Sequence, residues 1–110
     1  MDKVTETIID IVQREVAAYA AGTWYKVRPF FIADAEQHIY TIAAIPDTDY
    51  PLPEVKPALV LLARVVNSSV IIEHDSTDKP LYEALMQSGI PREQIALAYA
   101  GETIPDEGSL

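Results

Sequence analysis

The chain has 110 residues, 49% of them hydrophobic and none of them cysteine, so we expect one globular domain without disulfides, thiolate metal sites or cysteine nucleophiles. Its 17 acidic residues outnumber 8 basic ones, and a net charge of −9 disfavours direct nucleic-acid binding, which needs a basic stripe. No apolar run approaches the ~20 residues that cross a bilayer, and the first residues lack signal-peptide features, so we expect a cytoplasmic protein.

The first predicted element is an amphipathic helix over residues 3–21, followed by Gly22, which suits a left-handed helix end. Its apolar side chains recur at helical spacing and are Val4, Ile8, Ile11, Val12, Val16 and Tyr19. Glu15 falls inside this apolar arc. Its carboxylate therefore either extends to solvent or meets a cation from another element.

Two strands are predicted next, at residues 26–34 and 38–45, with a hairpin loop at 34–37. Pro29 has no amide proton, so it belongs at the start of a strand or on an edge strand. Residues 46–57 hold four prolines and form an irregular connection. Its acids, Asp47 and Asp49, are solvated turn residues in the favoured interpretation and cation ligands in the alternative.

The central segment, residues 58–74, is predicted as a hairpin that turns at Asn67-Ser68. This register brings Arg64 close enough to Glu73 for an ion pair. The predicted core face consists of Leu61, Ala63, Val65, Val70, Ile72 and His74. The opposite face is too apolar for open solvent, which predicts cover by a helix, the proline-rich connection or a second copy, and hence a possible homodimer.

A second helix is predicted to follow, with Pro80 in its first turn. Its candidate N-terminal caps are Ser76, Thr77 and Asp78. Gly89 is expected to end the helix with positive φ, Ile90 to pack back on it, and Pro91 to prevent its continuation. A last strand is predicted over residues 95–99.

These elements predict an α+β fold with an N-terminal helix, a mainly antiparallel sheet of four to five strands, and a second helix before the last strand. Both helices are expected on one face of the sheet. Residues 1–100 form the predicted domain, and residues 101–110 form an acidic, flexible tail.

The candidates for chemistry are few, because His38 and His74 are the only histidines. His74, Asp75 and Ser76 contain the residue types of a catalytic triad, but adjacency in sequence is not triad geometry, and a strand end with a turn is favoured. A metal site at His74, Asp75 and Asp78 is disfavoured in the same way. We therefore expect no catalytic residue, no metal and no cofactor.

The candidates for partner binding are surface residues. Trp24 and Tyr25 follow the first helix and serve either packing or an interface. Charged residues complete the set, because acidic side chains would attract a basic partner. The full set is Trp24, Tyr25, Arg64, Glu73, Asp78 and Glu83.

The segment HDSTDKPLYEALMQSGIPREQIALAY, residues 74–99, resembles the C-terminal part of the XisI-like family, the fdxN element excision controlling factors of cyanobacteria. The resemblance rests on the acidic turn at 75–78, the motif GIPREQI at 89–95 and the aromatic Tyr99. The hairpin around Asn67 and the segment 34–40 extend it over most of the chain. Departures from the family pattern indicate a divergent member: two turn glycines are Ser68 and Ser76, and an aromatic strand position is Ile71.

The resemblance implies a non-enzymatic regulatory protein that acts through protein contacts. Its partners would be XisH, a nuclease-like protein, and possibly a site-specific recombinase, and its role would be control of DNA element excision or of the nuclease. A small-molecule-binding module with a cleft beside the proline-rich connection remains the alternative. A hydrolase that uses His74 and Asp75 is the weakest hypothesis.

Overall fold

In the computed structural model, residues 3–22, 24–47 and 56–104 are described. Within these residues the chain forms α-helices, one sheet and short 3₁₀ helices at Arg92–Gln94 and Ala98–Ala100. The longer elements are α1 (Lys3–Ala18), β1 (Val27–Asp34), β2 (Ile39–Pro46), β3 (Ala58–Val66), β4 (Ser69–Asp75), α2 (Leu81–Gln87) and β5 (Ile95–Leu97).

The strands lie side by side in chain order, from β1 at one edge to β5 at the other. Strands β1 to β4 form an antiparallel meander, and β5 pairs parallel with β4 after the crossover through α2. Both helices pack on one face of the sheet and share its core. The predicted α+β architecture is therefore confirmed, with β1 at the edge, as Pro29 indicated.

The buried stripe of α1 differs from the prediction at its first turn. Ile8, Val12 and Val16 are buried as expected, but Val4 is 59% exposed and Thr5 is buried instead. The Thr5 hydroxyl lies 3.1 Å from the Ser68 hydroxyl in the β3–β4 turn. This hydrogen bond turns Thr5, rather than Val4, towards the sheet.

Helix α1 also ends at Ala18, earlier than predicted, because the chain then tightens into i→i+3 hydrogen bonds such as Tyr19 N–H to the Val16 carbonyl at 3.0 Å. Gly22 does adopt positive φ, at 89°. In the described part of the chain, Glu15 meets Arg14 of the same helix, with Nε and Oε2 3.6 Å apart, and a polar group of α2. Its carboxylate accepts a hydrogen bond of 3.0 Å from the Ser88 hydroxyl at the end of α2.

The two predicted hairpins are both present. Asp34 Oδ1 accepts the amides of Glu36 and Gln37 at 3.0 and 3.2 Å, which closes the β1–β2 turn. Asn67 turns β3 into β4 with φ of 57°, and Arg64 lies opposite Ile71, as the turn predicted. Residues 48–55 of the proline-rich connection, and residues 105–110 of the predicted tail, lie outside the described residues.

A β-bulge changes the end of the β3–β4 hairpin. Ala63 pairs with Ile72, but Leu62 pairs with His74, so Glu73 is an extra residue in β4. The bulge moves His74 to the outer face with Leu62, and its predicted place on the core face is wrong. The prediction assumes that side chains alternate strictly between the two faces of β4. The sequence pattern does not indicate that Glu73 interrupts this alternation.

The joint between α2 and β5 has the predicted glycine cap. Gly89 has φ of 108°, its amide donates to the Met86 carbonyl, and the Ile90 amide donates to the Leu85 carbonyl, both at 3.0 Å. These paired bonds form a Schellman motif, which satisfies the last carbonyls of the helix. Ile90 is buried at 2% exposure and packs back on the core, as predicted.

Strand β5 is shorter than predicted and stops at Leu97, so Tyr99 lies in a 3₁₀ turn and is 42% exposed. The reason is a contact from the following segment. Glu102 Oε1 accepts the Leu97 amide at 2.9 Å, and its other oxygen pairs with the Arg92 guanidinium. The Leu97 amide and then Arg92 hold the pKa of Glu102 below its ordinary value. Arg92 also donates to the Ile95 carbonyl at 2.6 Å, so the Arg92–Glu102 pair contacts both ends of β5.

Candidate partner-binding site

An aromatic cleft of about 740 Å³ lies where β1 begins and the segment after β4 passes the end of α1. Three of the predicted partner-binding residues, Trp24, Tyr25 and Asp78, line it together. Further lining residues are Tyr19, Ala21, Val27, Val60, Ser76, Thr77 and Lys79. One wall is therefore aromatic, and the other is a polar segment with one acid and one base.

Tyr19 connects the two walls of the cleft. It packs partly buried against the core, and its hydroxyl donates to the Lys79 carbonyl. Burial is the main cause that raises the pKa of Tyr19, and the nearby carboxylates of Asp75, Glu15 and Glu83 raise it further. The phenol therefore remains a hydrogen-bond donor at neutral pH.

Exposure separates the two predicted aromatics. Trp24 is partly buried and packs against the core, whereas Tyr25 is 83% exposed. The Lys26 ammonium lies 5.0 Å from the centre of the Tyr25 ring, a cation–π distance. Trp24 thus serves packing and lines the cleft at once, and Tyr25 presents its ring to solvent.

The polar wall is organised by Asp75. Its Oδ2 accepts the Leu81 amide at 2.7 Å, and its Oδ1 accepts the amide and hydroxyl of Thr77 at 2.9 and 2.6 Å. The N-terminal capping acceptor of α2 is therefore Asp75, whereas Pro80 stands at the cap position with no side-chain cap. The prediction that Ser76, Thr77 or Asp78 supplies the cap is wrong, because the bulge at Glu73 turns the Asp75 carboxylate towards the helix.

The same bulge joins Ser76 to β3. Its amide and hydroxyl both donate to the Val60 carbonyl, at 3.0 and 3.1 Å. Val60 and Ser76 consequently line the cleft as neighbours. In a regular hairpin register Ser76 would not lie beside Val60. The sequence therefore does not predict that Val60 or Lys79 lines the cleft.

The residues considered as a possible catalytic triad, His74, Asp75 and Ser76, do not come together as one. His74 faces the outer side of the sheet with Leu62, and the Asp75 carboxylate is engaged by Thr77 and Leu81 on the other side. Within residues 3–22, 24–47 and 56–104, no three or more His, Asp or Glu side chains are grouped so that they could hold a metal ion.

The remaining predicted residues lie apart from the cleft lining. Arg64 Nε and Glu73 Oε2 are 2.7 Å apart, so the predicted ion pair is confirmed, and it lies on the outer face of the sheet. Glu83 is exposed in the first turn of α2. A second groove of about 410 Å³, which the sequence did not indicate, lies between α1 and the Gly89–Pro91 joint and is lined by Val4, Ile11 and Ile90 among others.

The fold and the cleft define a small single-sheet α+β protein with an aromatic cleft at its surface. The family described as XisI protein matches residues 1–105, and the chain belongs to that family. No curated protein matches the chain. Among the helices in the described part of the chain, none has the length and apolar character required to cross a membrane.

Two solved structures from Anabaena variabilis share the fold. A XisI-like protein is 20% identical with a TM-score of 0.71, and the match covers 84% of each chain. The fdxN element excision controlling factor XisI is 21% identical with a TM-score of 0.69, and the match covers 89% of this chain and 87% of that one.

Proposed function

We propose that this protein is a non-enzymatic regulatory protein that acts in the cytoplasm and controls DNA element excision, or a XisH-like nuclease, through protein–protein contact. The observation that carries the proposal is membership of the XisI family, since one solved relative is described as an excision controlling factor. The engagement of Asp75 as a structural cap agrees with a role that needs no catalytic group.

The charge distribution suits a basic protein partner better than DNA itself. The chain carries a net charge of −9, so it repels phosphate and attracts basic surfaces. Tyr25 and Asp78 place an exposed ring and an exposed acid at one cleft, which matches the interface preference for aromatic anchors. The proposed partner therefore binds at this cleft, and a site-specific recombinase is a further candidate for the same contact.

The test is co-purification of the tagged chain with a XisH-like protein from the same genome, followed by calorimetry at two salt concentrations. Tyr25→Ala and Asp78→Asn should each weaken the complex at least fivefold, and high salt should weaken it further. Met86→Ala and Glu36→Gln are matched controls, because they remove an exposed apolar side chain and one exposed charge elsewhere. A folded chain that binds no XisH-like protein would contradict the proposal.

A second candidate, a small-molecule-binding module, rests on the size of the cleft. Its volume of about 740 Å³ lies within the ~300–1,000 Å³ of typical ligand sites. This function predicts that a metabolite raises the melting temperature without any protein partner, and that Trp24→Leu reduces the shift. A metabolite screen by thermal unfolding separates the two candidates.

A further inference from the structure

Strand β1 is one of the two edges of the sheet that the described residues form. Among the described strands only β2 pairs with it, over all eight residues from Val27 to Asp34. An open edge presents unpaired amides and carbonyls to any extended chain that approaches it.

The backbone groups on the open side can be assigned. The Lys26 carbonyl accepts the Asp47 amide at 3.0 Å, so residue 26 directs its backbone towards β2. Because this direction alternates along an antiparallel strand, the backbones of Pro29, Phe31 and Ala33 point outwards. Pro29 fits this assignment, since its missing amide interrupts no bond to β2.

The side chains on the outer face of β1 carry a cation at one end of the strand and an anion at the other. Arg28 comes first, Phe30 and Ile32 follow at 40% and 52% exposure, and Asp34 comes last, with both charged residues exposed. The Arg28 guanidinium lies 5.6 Å from the centre of the Phe30 ring. When two such strands pair antiparallel, the cation of one strand can lie opposite the anion of the other, and the apolar residues can face each other.

We propose that the protein forms a homodimer in which β1 pairs antiparallel with β1 of a second copy, with the two-fold axis at Phe31. In this register Arg28 lies opposite Asp34 of the second copy, and Phe30 lies opposite Ile32. The Phe31 amides and carbonyls bond each other across the axis, and the Ala33 amide donates to the Pro29 carbonyl. The two sheets join into one.

Side-chain spacing favours this pairing over other registers. Arg28 and Phe30 direct their backbones to β2, so across the new contact they occupy non-hydrogen-bonded positions, where facing side chains are closest. Strand β1 carries one cation and one anion and has no net charge. The β1–β1 contact is therefore not repulsive, although each chain has a net charge of −9.

A shift of register by two residues would replace both Arg28–Asp34 pairs. Asp34 would then lie opposite Lys26 with Arg28 opposite Ile32, or Arg28 would lie opposite Glu36 with Asp34 opposite Phe30, so the remaining pairs of opposite charge would involve residues outside β1. The β1 edge is thus complementary to the β1 edge of a second copy. The inference does not depend on the proposed function.

The experiment is sedimentation velocity over a range of concentrations on the full chain. Arg28→Asp and Asp34→Lys should each weaken the dimer at least tenfold, because each places like charges opposite one another. Asp34→Lys also removes the acceptor of the Glu36 and Gln37 amides in the β1–β2 turn, so circular dichroism must first show that this variant is folded. An equimolar mixture of the two variants should recover dimers, since both of its facing pairs are then of opposite charge. Arg14→Asp is the control, because it makes the same charge change at an exposed site on α1 and should leave the dimer unchanged.

Ala33→Pro is an independent variant, because it removes an outward amide and no bond to β2. It should also give monomers, with circular dichroism confirming the fold. The proposal is overturned by a wild-type chain that stays monomeric at all concentrations, or by a dimer that Arg28→Asp and Ala33→Pro leave intact. Folded single variants whose mixture stays monomeric would overturn the register, as would binding of another protein's extended segment at β1 in place of the second copy.

Discussion

Replacement of Asp75 by alanine should destabilise the fold through the start of α2. The carboxylate accepts the Leu81 amide at 2.7 Å and the Thr77 amide and hydroxyl at 2.9 and 2.6 Å. Loss of a helix cap costs ~0.5–2 kcal/mol, and a hydrogen bond to a charged group contributes ~1.5–3 kcal/mol. Since these contributions overlap, and since Leu81 is fully buried, we expect the free energy of unfolding to fall by about 2–3 kcal/mol.

Urea unfolding followed by circular dichroism measures this loss as a lower midpoint with an unchanged slope. The melting temperature should fall by roughly 8 °C or more for a chain of this size. Asp75→Asn keeps one acceptor oxygen and should lose about half as much. Asp78→Ala is the control, because this exposed neighbour should change stability by no more than ~0.5 kcal/mol. A loss below ~0.5 kcal/mol in Asp75→Ala would refute the capping role.

Three further changes test the joint and the core. Gly89→Ala should cost about 1 kcal/mol of unfolding free energy in urea, because φ is 108° and an added Cβ meets no atom within 4 Å, so only the backbone is strained. Leu85→Ala should cost ~2–5 kcal/mol in the same assay, because Leu85 is fully buried; a cost below 1 kcal/mol would contradict its place in the core. The lowered pKa of Glu102 means that its stabilisation is full above the ordinary glutamate value of ~4.3 and is lost as pH falls through the lowered pKa. Glu102→Gln should therefore reduce stability at pH 7 and flatten its decline below pH ~4.3, and an unchanged acid profile would contradict the contact with Leu97.

The candidate cleft shows how much of a site can be predicted from residue types alone. Trp24 and Tyr25 are candidates because they are aromatics that follow a helix, and Asp78 is a candidate because an acid would attract a basic partner; all three line one cleft. Their proximity depends on contacts between distant segments, such as the Tyr19 hydroxyl with the Lys79 carbonyl. No pattern within a short stretch of sequence encodes such a contact.

The features that arise within a few neighbouring residues can be predicted from the sequence. Asn67 and Gly89 adopt the positive φ that their residue types favour, Pro29 lies on an edge strand, and Pro91 follows the end of α2. Each of these outcomes follows from local sterics or from a missing amide, so distant parts of the chain hardly affect it.

The positions of the bulge, of the cap and of β1 in the sheet depend on contacts between distant segments. One extra residue at Glu73 exchanges the faces of the residues that follow it, so His74 lies on the outer face and Asp75 lies on the helix face, where it caps α2 instead of only forming the turn. A bulge is set by how two strands accommodate a helix packed across them, and that balance involves residues far apart in the chain. The edge position of β1 has the same kind of origin, because it depends on the order in which the described strands lie in the sheet.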